Sequence, residues 1–299
     1  MKRIIMIVLS LSLCLLSGCE AVPSSTMSRI ETSEQVSMPP EVLVSESETS
    51  QEGEGPLSSL LVGFKDFDLD QVDLAELPTE VRNDPFVWGP GIHLVESIPG
   101  TDISLYAPLR DHELKGVLVR HGDQLYKFDW SYSRYLFHAA WEDYDGDGNH
   151  ELAVGICTQE GTCLFHEELH LVKLGADGQA QDFCLPERLY KEDLTSRLQC
   201  TADAETNRVS VQMGNPGVHF TPMQKVPDTM SAGLQIQPIH DIVYYTFADG
   251  KIIAEYSVPL YCSEWGLPDN SASIRAYVSF HEGEFQLRTQ SLNVNISKW

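Results

Sequence analysis

The stretch Asp143-Tyr144-Asp145-Gly146-Asp147-Gly148-Asn149-His150-Glu151 sets acidic side chains at its first, third, fifth and ninth positions, with glycines at the fourth and sixth. In a metal loop of this spacing, side chains at positions one, three and five converge on one point. Glycine at six permits the sharp turn, and position seven offers its backbone carbonyl. Asp143, Asp145 and Asp147 are then carboxylate ligands, Asn149 the carbonyl donor, and Glu151 adds a further carboxylate at position nine. Hard oxygen donors with no thiolate or paired imidazole nearby select Ca²⁺ over transition metals. Three alternating aspartates also repel one another unless a cation offsets their charge.

The twelfth position of the loop is Val154, where an EF-hand needs a bidentate glutamate, so neither an EF-hand nor a dockerin fits. The acid comes instead at Glu151, and the chain runs directly into the apolar segment 152–156. This arrangement, Asp-x-Asp-Gly-Asp-Gly-x-x-Glu-Leu followed by a small apolar strand, resembles the calcium loop of FG-GAP and VCBS-type repeats. The resemblance implies a chiefly structural ion that ties the loop to the strand after it. It is confined to this stretch, occurs once, and lacks the Phe-Gly and Gly-Ala-Pro elements of the full repeat. It therefore carries over the metal site and not a propeller. Asp66-Phe67-Asp68-Leu69-Asp70 repeats the alternation without glycine and reads as an acidic lead into a helix.

A second pattern, His166-Glu167-Glu168-Leu169-His170, satisfies His-Glu-x-x-His, in which two histidines bind Zn²⁺ and the glutamate serves as general base. This is the alternative reading, a zinc-dependent hydrolase. That chemistry needs a helix, so that positions i and i+4 face one ion. The segment instead continues into 169–174 and closes at Ala176-Asp177-Gly178, which reads as a strand and hairpin. In a strand the two histidines stand ~13 Å apart at ~3.3 Å per residue. No nucleophile elbow or phosphate-binding glycine loop is present, and the sequence assigns no catalytic residue.

The elements that must position these groups are mostly hairpins. Segments 116–120 and 124–128 flank His121-Gly122-Asp123; 243–247 and 251–256 flank Asp249-Gly250; 276–280 and 285–288 flank Glu282-Gly283. Acid-glycine pairs between β-branched or aromatic runs mark hairpin turns, because those turns need positive φ. Short helices are expected at 70–82, where Leu74, Leu77 and Val81 keep helical spacing, and at 187–198. The fold class expected is mainly β, an antiparallel hairpin meander or sandwich with one or two short helices. The lack of a regular long-period repeat weighs against a symmetric propeller. Aromatic residues near the loop, Trp130, Tyr132, Tyr135, Trp141 and Tyr144, suit either core packing or a sugar-stacking face.

The ends set the location. Lys2 and Arg3 precede an apolar stretch, 4–16, too short to span a bilayer as a helix, for which ~20 residues are needed. Leu16-Ser17-Gly18-Cys19 follows and resembles the lipobox of bacterial lipoproteins. The resemblance implies a signal peptide over 1–18, with Cys19 acylated and the domain held at the outer face of the cell membrane. The whole layout is similar to that of lipoproteins from Gram-positive anaerobes. Residues 19–56 are rich in Ser, Glu, Thr and Pro and lack aromatics, the composition of a disordered acidic tether. Residues 57–299 then form the β-rich extracytoplasmic domain.

A formal net charge of −24 repels phosphate and excludes nucleic acid as a partner. Partners remaining are the membrane, through Cys19, and a glycan or surface protein. Cys157, Cys163, Cys184, Cys200 and Cys262 form an odd set. Cys157 and Cys163 flank a turn, so they suit a cross-strand disulfide or, equally, buried free thiols.

Overall fold

The structure is a computed structural model that describes residues 64, 67–82, 88–109, 115–133, 137–161, 164–214, 217–226, 234–262, 265 and 268–294. All of these lie in one unit, Glu54–Trp299. The expected signal peptide 1–18, Cys19, the expected tether 19–56, Asp66, Tyr135 and Cys163 lie outside the described residues.

The hairpin signals translate into strands that pair in sequence order. Strands β1 (Gly91–Ser97), β2 (Ile103–Leu109), β3 (Lys115–His121) and β4 (Gln124–Ser131) form a four-stranded antiparallel meander. A second meander follows: β5 (Phe137–Glu142), β6 (Glu151–Gly161), β7 (Leu164–Leu174) and β8 (Ala180–Cys184). Strands β9 (Gln199–Asp203), β10 (Arg208–Gln212) and β11 (Val218–Phe220) make a small sheet. The last meander is β13 (Ile242–Ala248), β14 (Lys251–Tyr261), β15 (Asp269–His281) and β16 (Glu284–Val294), with the short β12 (Gln235–Ile236) on β14. One parallel contact, Ile242↔Phe165 and Val243↔His166, joins β13 to β7 and fuses the second and last meanders into a nine-stranded sheet.

The expected hairpin turns are present with the positive φ that dictated them: Asp249 and Gly250 at 54° and 65°, Glu282 and Gly283 at 51° and 86°. The structure is mainly β, as the turn spacing required.

Two of the three hydrophobic cores lie on opposite faces of β6. Leu152, Val154 and Ile156 pack with Leu105, Val119, Phe128 and Trp130 of the four-stranded sheet. Ala153, between them, joins Leu171, Tyr190, Leu194, Val211 and Tyr256 on the other side. A strand covered on both faces reads as a continuous apolar run rather than an alternating one, which is why 152–157 carries no polar residue.

The helix expected over 70–82 does not form. Only a 3-10 turn exists there, Leu69–Gln71, capped by the Asp68 side chain. The Asp73 carboxylate accepts the Ala75 N–H at 2.8 Å, a local bond that competes with the helix ladder. Pro78 removes a donor within the span. The helical spacing of Leu74 and Leu77 instead serves a small core with Phe67, Ile92, Leu94, Tyr106 and Leu118. The second expected helix is present as a π-helical turn, Leu189–Leu194, continued by a 3-10 turn, Thr195–Arg197, with Tyr190 and Leu194 buried.

Candidate metal centre

The acidic loop spans the gap between β5 and β6, from Asp143 to the first residue of β6, Glu151. Its backbone curls around its own carboxylates. Asp143 accepts the N–H groups of Gly146 (2.8 Å) and Gly148 (3.1 Å), and Asp145 accepts that of Asp147 at 3.0 Å. Gly146 and Gly148 sit at φ 78° and 89°, a backbone that L side chains rarely adopt. The loop glycines in the sequence thus serve the turn the metal-loop spacing called for.

Carboxylate oxygens of Asp143, Asp145 and Glu151 lie within 4.8 Å of one another. Asp147 is not part of this group and bonds Asn149 instead. Asp147 Oδ1 accepts both the backbone N–H and the side-chain amide of Asn149, at 2.8 and 2.9 Å. These bonds and the Lys173 ammonium hold the Asp147 carboxyl below its ordinary pKa.

Glu151 is fully buried. Its Oε2 accepts the Tyr144 N–H at 2.9 Å, while its Oε1 has no hydrogen-bond partner. Burial is the main reason its carboxyl is pushed above its ordinary range. A buried carboxylate oxygen without a donor is costly unless a cation answers it.

A residue that the sequence reading missed enters here. Lys173, near the end of β7, places its ammonium against Asp145 Oδ2, 3.1 Å from Asp147 Oδ2 and 3.6 Å from Glu151 Oε1. The β6–β7 register, Leu152↔Val172, puts position 173 across from the loop's last acid. Nothing local in the sequence links a lysine 22 positions after Glu151 to the loop, so only the register could have found it.

The His-Glu-x-x-His segment lies in strand β7. His166 is buried, with Nε2 at 3.0 Å from Tyr190 Oη, Nδ1 at 3.2 Å from Thr158 Oγ1, and its ring stacked on His240. Glu167 accepts the Tyr245 N–H at 2.8 Å and lies 3.3 Å from His138. His170 bonds Asp182 at 2.9 Å. The two histidines serve different neighbours, and the glutamate between them ties β7 to β13.

The aromatic residues divide in the same way. Trp130 and Tyr132 are core residues, and Trp130 donates its indole N–H to Asp182 at 2.8 Å. Trp141 and Tyr144 are half-buried, and Trp141 meets the rings of His121 and His150.

Cys157, Cys184, Cys200 and Cys262 are free thiols, and Cys157 accepts a hydrogen bond from Ser133 Oγ at 3.0 Å. Among the described residues no helix is long and apolar enough to cross a membrane. No family model, curated protein or solved structure matches the chain. The likeness to FG-GAP and VCBS calcium loops accordingly stands on the loop residues alone.

Proposed function

We propose that this chain is a lipid-anchored extracytoplasmic protein whose β domain is stabilised by one Ca²⁺ ion and serves a binding or scaffolding role rather than a catalytic one. The observation that carries the calcium assignment is Glu151, fully buried beside two more carboxylates, with Oε1 lacking a hydrogen bond and faced only at 3.6 Å by the single charge of Lys173, among the described residues. Oxygen-only donors suit a hard cation of variable coordination. Asp143, Asp145 and Glu151 would hold the ion, with Asp147 and the Asn149 carbonyl completing the set read from the sequence. The ion would tie the β5–β6 loop to the first residue of β6, a strand that takes part in both of the larger cores.

The anchor rests on the lipobox-like Leu16-Ser17-Gly18-Cys19 and the acidic tether behind it. In this reading acyl chains on Cys19 hold the domain to the membrane and residues 19–56 set its reach. A glycan or surface protein remains the partner class. Trp130 and Tyr132 are buried in the core, and Trp141, which packs against that same core, keeps a partly exposed ring that such a partner could meet.

Isothermal calorimetry of the full-length protein with Ca²⁺ tests the metal. One site, lost in Asp145→Ala, supports the reading, and no heat of binding below millimolar Ca²⁺ refutes it. Fractionation of expressing cells tests the anchor, with Cys19→Ala expected to leave the membrane fraction.

A further inference from the structure

The zinc-protease pattern dissolves in the strand, yet one of its histidines belongs to a different constellation. Strand alternation puts Glu168 and His170 on one face of β7. The β7–β8 register pairs His170 with Cys184, so the thiol stands directly across from the imidazole. Asp182, two residues before Cys184 on β8, shares that face. Local sequence gives no hint of this meeting, because Cys184 lies 14 residues away and across a hairpin.

The imidazole is set up as a ligand. His170 is buried, and its Nδ1 lies 2.9 and 3.1 Å from the two oxygens of Asp182. The carboxylate accepts, so Nδ1 carries the proton and donates. Asp182 is itself fixed by the Trp130 indole N–H at 2.8 Å, and the Trp130 ring packs on the imidazole with centroids 4.6 Å apart. Nε2 is left buried with no hydrogen-bond partner, 3.7 Å from Glu168 Oε2. A carboxylate that orients one nitrogen of a histidine while the other faces a metal is the usual outer arrangement of protein zinc sites.

We propose that Glu168, His170 and Cys184 form a second metal site, for a divalent transition metal of the zinc type. Their donor atoms lie within 4.8 Å of one another, and His170 Nε2 and Glu168 Oε2 are 3.7 Å apart, about the spacing of two ligands ~2.0–2.3 Å from one tetrahedral ion. The donor set of imidazole, thiolate and carboxylate selects Zn²⁺ over Ca²⁺ or Mg²⁺, the reverse of the acidic loop. Charges balance: the dication meets one carboxylate and one thiolate, and binding releases the Cys184 thiol proton to solvent. Cys184 is exposed, which gives the ion a path in and leaves room for a water as fourth ligand.

The test titrates the metal-free full-length protein with Zn²⁺ and, separately, Co²⁺ in thiol-free reducing buffer. One Zn²⁺ per chain is expected, and Co²⁺ should give near-ultraviolet thiolate-to-cobalt absorption with the strong visible bands of four-coordination. Cys184→Ser should abolish the thiolate absorption and weaken Zn²⁺ binding at least about tenfold, and its exposed position makes it the variant least prone to misfold. Asp182→Asn, which touches only the outer carboxylate, should weaken binding about 10–100-fold while the thiolate absorption persists. Asp145→Ala should bind Zn²⁺ as the native protein does, separating this site from the acidic loop. The proposal is overturned if no Zn²⁺ binds below millimolar, if Co²⁺ shows no thiolate band, or if Cys184→Ser binds as tightly as the native chain. In each of those cases His170 serves only to join Asp182 and Glu168.

Discussion

The Lys173 ammonium stands 3.6 Å from the buried Oε1 of Glu151, so the domain carries its own monovalent cation within the carboxylate cluster. A divalent ion and this ammonium draw on the same oxygens, and each must weaken the other. Replacing Lys173 by Gln should therefore tighten Ca²⁺ binding by about fivefold or more, since like charges ~4 Å apart repel by ~1 kcal/mol even in water-like surroundings. The same change should lower stability when calcium is chelated, because Asp145, Asp147 and Glu151 lose the ammonium that faces them. Calorimetry and thermal melts with and without chelator check both halves. Unchanged Ca²⁺ affinity would show that the ammonium and the ion use different oxygens.

Calcium itself should stabilise the fold by mass action, about 2.7 kcal/mol when its concentration is a hundred times the dissociation constant. Chelation should thus lower the melting temperature of the full-length protein, and Asp145→Ala should reproduce most of the loss with calcium present. Magnesium should substitute poorly, because the smaller ion demands tighter octahedral geometry and keeps its waters. A melting curve indifferent to EDTA would reduce the loop to an acidic turn.

Strand β6 makes a separate prediction that involves no metal. Leu152 is fully buried and packs with Val154 and Ile156 against the four-stranded sheet, while Ala153 faces the second core. Leu152→Ala should cost about 2–5 kcal/mol of unfolding free energy, since the sheets on either side limit collapse into the cavity. Denaturant unfolding measures it, and a cost under 1 kcal/mol would mean the cores repack freely.

The pH response follows from His93. It lies against Trp88 with ring centroids 4.6 Å apart, and its Nε2 is 2.9 Å from the Gly89 carbonyl oxygen. Burial above all, with Arg82 adding to it, holds its pKa below the ordinary 6.5, although the Gly89 bond works the other way. A lowered folded pKa means the unfolded chain takes the proton more readily. The neutral ring therefore costs nothing above pH 6.5, and stability falls as pH drops below that value. His93→Phe should show a shallower loss of unfolding free energy below pH 6.5 than the native protein. Parallel slopes would place the acid sensitivity elsewhere.

Several features were legible in the residues alone because their causes are local. Asp249-Gly250 and Glu282-Gly283 adopt positive φ, and the alternating acids with Gly146 and Gly148 fold the loop back on its own carboxylates. These depend on backbone sterics and on hydrogen bonds only two to five residues long. The helix expected over 70–82 failed for a related reason. Its apolar spacing was real, but Pro78 and the Asp73 bond to Ala75 set the local backbone, and the leucines met a sheet face instead.

The sequence by itself determined the β class, the hairpin turns and the candidate calcium ligands. Tertiary structure alone decided what each charged side chain meets. Lys173 reaches Asp145, His170 faces Cys184, and Trp130 holds Asp182 because strand registers and sheet packing bring them together across intervals of 14 to 52 residues. The physical reason is the two-residue period of a strand. It fixes the face on which a side chain lies, but the partner across the ladder depends on register, and register is set by hairpins and cores that no short window of sequence contains.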